Sequence, residues 1–144
     1  MRKNLGVFAL LVPLAMAVGG TANAAEEAAA KCSAATLQGT YLYAYTGSVV
    51  SGADRGPFAY AGHDVYDGRG HMSGVSTSST NGKIVRRARS TGTYKVFADC
   101  TGTLTYTDGS TYDLFVAPDG SSNVFVQTNP GSLAAGSEHR VAGS

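Results

Sequence analysis

The chain is poor in residues that do chemistry unaided. It has two cysteines and three histidines among 144 residues, and charged side chains make up only 15%. Cys32 and Cys100 form no Cys-x-x-Cys, and His63, His71 and His139 form no His-x-x-x-His. Zinc needs three or four convergent ligands, so no metal centre is expected. Asp64 and Asp67 are not followed by the Asp/Asn ladder and distal Glu of a calcium loop. Gly-x-Ser-x-Gly is absent, and no helix follows Gly68-Arg69-Gly70 to receive a phosphate. Dinucleotide and haem-attachment fingerprints are missing too, so no cofactor is expected. An excess of charge of one sign is also lacking. Eleven basic and ten acidic side chains give a formal charge of +1, which provides no broad field for nucleic acid or an anionic membrane. No apolar run reaches the ~20 residues that a spanning helix needs.

What is present begins with an address. Arg2 and Lys3 precede an apolar stretch from Leu5 to Val18, and Ala22-Asn23-Ala24 fits a small-residue cleavage site. Residues 1–24 therefore read as a signal peptide for export from a bacterial cytoplasm, with a periplasmic or secreted product and no membrane insertion after cleavage. Loss of Arg2 and Lys3 leaves nine basic against ten acidic groups, a formal charge of −1. Residues 25–36, rich in Ala and Glu, read as a short helix or flexible lead-in, and residues 37–141 as one domain. In an oxidising compartment Cys32 and Cys100 are expected to pair and tie the lead-in to the Asp99-Cys100 turn.

The rest of the chain is rhythmic. Runs rich in Tyr, Val, Thr and Phe are broken by Asp67-Gly68-Arg69-Gly70, Asn81-Gly82, Asp108-Gly109-Ser110, Pro118-Asp119-Gly120 and Asn129-Pro130-Gly131. Gly and Asn tolerate positive φ and let strands reverse tightly. This spacing predicts an all-β antiparallel barrel or sandwich. Strands are expected at 39–46, 57–66, 71–79, 84–91, 93–97, 101–107, 111–117, 122–128 and 134–141, eight or nine in all, depending on whether Gly92 bends one strand or separates two. The polar stretch from Gly47 to Gly56 reads as a lid. Glu138-His139-Arg140 falls in a last strand or tail.

Turn registers assign faces. A tight hairpin at Asp67–Gly70 opposes Tyr66 to His71, and a two-residue Asn81-Gly82 turn opposes Thr77 to Arg86. One face then carries Phe58, Tyr60, Asp64, Tyr66, His71, Val75, Thr77, Ile84, Arg86 and Ala88, and its aromatics argue that it is the inner one. His63 falls on the other face, away from His71. Alternation puts Tyr41, Tyr43 and Tyr45 together, with Tyr94, Val96, Leu104 and Tyr106 also inward. An interior of Tyr rings is apolar in body and polar at its tips, and suits either a ligand pocket or a filled barrel. Of the basic cluster Lys83, Arg86, Arg87 and Arg89, the last two read as solvated charges that guard a strand. Arg86, on the aromatic face, needs a partner, and Asp64 is the candidate.

Leu37-Gln38-Gly39-Thr40-Tyr41, Tyr66-Asp67-Gly68-Arg69-Gly70, Gly92-Thr93-Tyr94-Lys95-Val96 and Asp99-Cys100-Thr101-Gly102-Thr103-Leu104 occur in that order. On these segments the chain resembles small exported bacterial proteins with an allene oxide cyclase-like barrel, over roughly residues 32–141. The resemblance implies an eight-stranded up-and-down barrel with a lumen. Relatives by fold bind hydrophobic oxygenated molecules, and some guide cyclisations. None of the cyclase's functional residues can be placed on this sequence.

The expectation is thus a barrel that binds a small, partly apolar molecule, with Tyr41, Tyr43, Tyr60, Asp64, Tyr66 and Arg86 as lining residues and Arg86 orienting a carboxylate or carbonyl. An isomerase or cyclase using the same cavity, with a Tyr or Asp64 as general acid, is a second reading. A structural protein with a filled barrel is a third. No helix or heptad dictates an assembly, which leaves homo-oligomers through the outer face open.

Overall fold

The structure, a computed structural model, describes residues 31–143; residues 1–24, read as a signal peptide, and residues 25–30 of the lead-in lie outside the described residues. Eight strands form: β1 (Gln38–Val49), β2 (Gly56–Asp67), β3 (His71–Thr80), β4 (Lys83–Val96), β5 (Thr101–Tyr106), β6 (Thr111–Val116), β7 (Ser122–Gln127) and β8 (Ser132–Arg140). Each pairs antiparallel with its chain neighbours, and β8 closes on β1 to complete an up-and-down barrel. Gly92 lies within β4, so it bends one strand and the count is eight. Closure removes both free edges of the sheet, and alternate residues along each strand fill the inside. On β1, Tyr41 and Tyr43 are buried while Leu42 and Ala44 are exposed. On β6, Tyr112, Leu114 and Val116 are buried between exposed Asp113 and Phe115.

The two ends of the barrel differ. At the end where β1 begins and β8 finishes, the core is packed with Leu37, Tyr41, Tyr66, Met72, Tyr94, Leu104, Leu114 and Val116. The segment before β1 plugs this end. It makes a 3-10 turn at Ala34–Thr36, starting with Ser33 as N-cap. Tyr94 Oη donates to the carbonyls of Leu37 (2.7 Å) and Ala34 (3.0 Å), and Arg140 Nη2 donates to that of Thr36 (3.0 Å). Cys32 is bonded to Cys100 in the β4–β5 turn, which fixes the plug covalently. Disulfides persist in oxidising compartments, so the bridge fits a location outside the cytoplasm. It spans 68 residues of sequence, and loop-closure arguments value such a link at about 4 kcal/mol. Denaturant unfolding of the Cys32→Ser/Cys100→Ser protein is expected to show a loss of this order. A loss under about 1 kcal/mol would mean that the plug holds without its tether.

At the other end β1 to β4 run on as a tall wall while β5 to β7 stop after six residues each. Pairing of β4 with β5 begins only at Gly92. The stretch from Lys83 to Arg89 pairs with β3 alone and is exposed. This explains its charge: a protruding half-paired strand rich in Lys and Arg does not recruit another strand.

Two expected registers are corrected here. Tyr66 pairs with Met72, and Asp64 with Gly74, one residue off the tight-hairpin prediction. The side chain of Asp67 is the cause. Its Oδ1 accepts the backbone N–H groups of Arg69 (2.7 Å) and His71 (3.0 Å), and this widens the turn by one residue. Because strand periodicity is two, the slip reverses β3. Met72, Gly74 and Ser78 are buried, and His71 and Thr77 are exposed. His63 lies on the outward-facing parity of β2, so neither histidine enters the lumen. On β4 the predicted register holds from Lys83 to Val85 and then shifts at a bulge between Ser76 and Ser78. Arg87 takes the strain with φ 52°, and its N–H donates to Thr77 Oγ1 (3.3 Å). Ile84 and Ala88, expected inside, are exposed, as is Arg86.

Candidate functional site

A buried acid pair sits in the middle of the barrel. β2 carries Asp64 inward and β8 carries Glu138 inward, on either side of β1, where Tyr41 pairs with Asp64 and Tyr43 with Glu138. Asp64 is 0% exposed and Glu138 3%. No basic side chain bonds to either. Glu138 Oε2 instead accepts Tyr66 Oη (2.8 Å) and Asn123 Nδ2 (2.9 Å), and Asp64 Oδ2 accepts Tyr106 Oη (2.6 Å). Burial, then the charge of Glu138, push the Asp64 carboxyl up to about 8. Burial also raises Glu138, but the bonds from Asn123, Tyr66 and Asp64 work against it. Two adjacent carboxyls in a low dielectric cannot both ionise. Glu138 has two neutral donors on one oxygen, so it holds the charge, and Asp64, whose Oδ1 has no hydrogen-bond partner, keeps the proton.

Space for this pair comes from glycine. A Cβ on Gly74, the residue paired with Asp64, would overlap Asp64 Oδ1 and press on the His63 carbonyl.

Above the pair, toward the open end, lies a layer of rings. Tyr45 stacks on Tyr60 (centroids 5.2 Å apart, planes 6° apart) and meets Phe58, Tyr112 and Phe125 edge-on. Its hydroxyl shares a hydrogen bond with that of Tyr112 (3.0 Å). Tyr43 lies beside Ser76, and burial raises the pKa values of Tyr43, Tyr45, Tyr106 and Tyr112 above the ordinary tyrosine value. These hydroxyls stay neutral, with that of Tyr106 donated to Asp64 and those of Tyr45 and Tyr112 sharing one bond. The rings enclose a cavity of about 190 Å³ that opens at the mouth. Its walls are Tyr43, Tyr45, Phe58, Tyr60, Tyr106 and Tyr112, with Ser and Thr hydroxyls between them and Asp108 and Gln127 near the rim. A void of about 10 Å³ lies deeper, bordered by Tyr43, Tyr106, Phe125 and Glu138, near the limit for a single water. Tyr106 touches both spaces and bonds to Asp64, so its hydroxyl connects the cavity to the buried proton.

The sequence-derived candidates divide accordingly. Tyr43 and Tyr60 line the cavity. Asp64 lies beneath it, one hydrogen bond away through Tyr106. Tyr66 is fully buried below the acid pair and holds Glu138 rather than facing the cavity. Tyr41 belongs to the plugged end, where its hydroxyl donates to the Gly120 carbonyl and accepts from Arg140 Nε (3.1 Å). Arg86 is exposed on the protruding part of β4 and does not pair with Asp64. The partner of Asp64 is Glu138, which sequence reasoning left unassigned. Its signal was modest: counting by two from small Ala134 and Gly136 on the last strand puts Glu138 on the same face. Asn123, Tyr45, Tyr112 and Gln127 complete the site. Among the described residues no three His, Cys, Asp or Glu side chains converge as metal ligands.

Comparison with protein-family models finds no match, and comparison with curated proteins finds none. Among solved structures the chain is similar to a de novo designed fluorescence-activating β-barrel. Identity is 15% over 75% of this chain and 96% of that chain, with a TM-score of 0.46.

Proposed function

We propose that this protein is an exported small β-barrel that binds a small, partly apolar molecule in its Tyr-lined lumen. The observation that carries the reading is the cavity itself, an aromatic chamber of about 190 Å³ open at one end of a barrel whose other end is packed and plugged. Structural packing alone would close both ends. Six rings supply apolar contact, and the tyrosine hydroxyls among them supply a few hydrogen bonds that fix orientation. The leader-like residues 1–24 and the disulfide support a periplasmic or secreted location. The resemblance to exported proteins with an allene oxide cyclase-like barrel is in keeping with both.

Native mass spectrometry of the protein purified from its own host, before and after mild denaturation, tests the reading. A releasable molecule of defined mass is expected. A clean apo mass under gentle handling, together with no uptake of small aromatic compounds, would overturn it.

A second reading, an isomerase or cyclase, is favoured by one observation. Tyr106 is part of the cavity wall and its hydroxyl donates to protonated Asp64; turned toward a bound carbonyl or epoxide oxygen, that hydroxyl would give up its proton and take the proton of Asp64 in its place. With the released molecule as substrate, Tyr106→Phe would lower turnover at least ~100-fold while retaining binding. Unchanged turnover in this variant would remove the reading.

A further inference from the structure

We infer that the ligand of the mouth cavity is a small organic cation, an alkyl- or arylammonium. This inference rests on reading the cavity as a ligand site and names the class that fits it. The walls carry six aromatic rings, whose faces are electron-rich and attract cations. No Lys, Arg or His is among the lining residues. Arg55, in the β1–β2 connection, and Lys83, the first residue of β4, stand at the same end but outside the lining, and Arg86 is further along the protruding strand. The polar groups that do reach the cavity include acceptors in want of donors. Gln127 Oε1 is buried and has no hydrogen-bond partner, while the amide nitrogen of the same side chain is taken by Asn129 Oδ1 (3.2 Å). Asp108 adds a carboxylate at the rim, and below the rings Asp64 and Glu138 hold one negative charge with no cation against it.

A carboxylate ligand would meet only hydroxyl donors in a chamber whose fixed charge repels it. An ammonium group would gain from the ring faces, donate to Gln127 Oε1 and offset the buried charge. The volume, about 190 Å³, is below the ~300–1,000 Å³ usual for drug-sized ligands, and so favours a compact amine over a long-chain one.

Calorimetric titration with benzylammonium, benzyl alcohol and benzoate tests the inference, because the three share a ring and differ in charge. Benzylammonium is expected to bind about tenfold more tightly than benzyl alcohol, and benzoate to show no saturable binding. Asp108→Asn, which retains the turn-forming acceptor to the Ser110 N–H (2.9 Å), is expected to weaken benzylammonium about two- to threefold and leave benzyl alcohol unchanged. Benzyl alcohol or benzoate binding as well as benzylammonium would overturn the cation assignment and leave the cavity reading standing. Saturable binding by none of the three would overturn both.

Discussion

Urea unfolding at pH 5 is expected to give a higher free energy than at pH 9, by about 4 kcal/mol. This is the reverse of the usual behaviour of paired carboxylates. The folded Asp64 carboxyl sits near 8, against an ordinary value of 3.8. Between those values the native state binds a proton that the unfolded chain has released, so stability falls as pH rises. The full contribution is present below about 4 and is gone above about 8, and each pH unit between is worth ~1.4 kcal/mol. The raised Glu138 acts in the same sense. Three exposed aspartates act oppositely. Hydrogen bonds within their turns lower Asp67, Asp99 and Asp119, so they support the fold above about 4 and lose that support in acid. An optimum in mildly acidic solution follows. Asp64→Asn should remove most of the slope, because an amide stays neutral at every pH. It should therefore match the parent at pH 5 and exceed it at pH 9. Stability that is level or rising from pH 5 to 8 would show that the pair does not share a proton.

Gly74→Ala is expected to cost about 3 kcal/mol or more, an unusual penalty for one methyl group on a strand where alanine is ordinarily tolerated. The added carbon would occupy the position of Asp64 Oδ1. Asp64 is short, fully buried and held by Tyr106, and the backbone carbonyl of His63 presses on the added carbon as well. The methyl group must displace the carboxyl or push β3 away from β2. Displacement would leave Glu138 without its proton-sharing neighbour and Tyr106 without its acceptor. The variant should thus lose stability and, in the same denaturation series, lose much of the pH slope. Loss of stability with an unchanged slope would mean that the strand moved and the pair survived. A cost below 1 kcal/mol would mean that the packing around Gly74 is looser than its contacts indicate.

The fold was largely legible because its signals are local. Turn residues with positive φ, such as Asn81 and Gly82, and the alternation of Tyr41, Leu42, Tyr43 and Ala44 are properties of a few adjacent residues. They place strand boundaries within a residue or two, except that β1 runs on to Val49, three residues into the stretch from Gly47 expected to be a lid. The inner face was less legible, because parity along a barrel depends on each turn and bulge. One aspartate side chain bonding to two backbone N–H groups reversed β3, and one left-handed arginine displaced the rest of β4. The acid pair was legible only by half. Asp64 was visible as a carboxylate on an aromatic face, but Glu138 lies 74 residues later and reaches it only when β8 closes on β1. With the register of that closing strand unassigned, the nearest basic residue on a supposed common face, Arg86, was the natural partner. The basic cluster proved legible in its other sense, as a guard on unpaired backbone.

The plug has a consequence for orientation. Lys31 leads into the bridged segment at the packed end, and β8 delivers Arg140 to that same end. Both sides of the barrel domain's backbone therefore leave from its base, like two wires from one socket. Whatever either of them is fastened to, a surface, a tag or another domain, the chamber faces away from the attachment, and its doorway is one that the tether does not crowd.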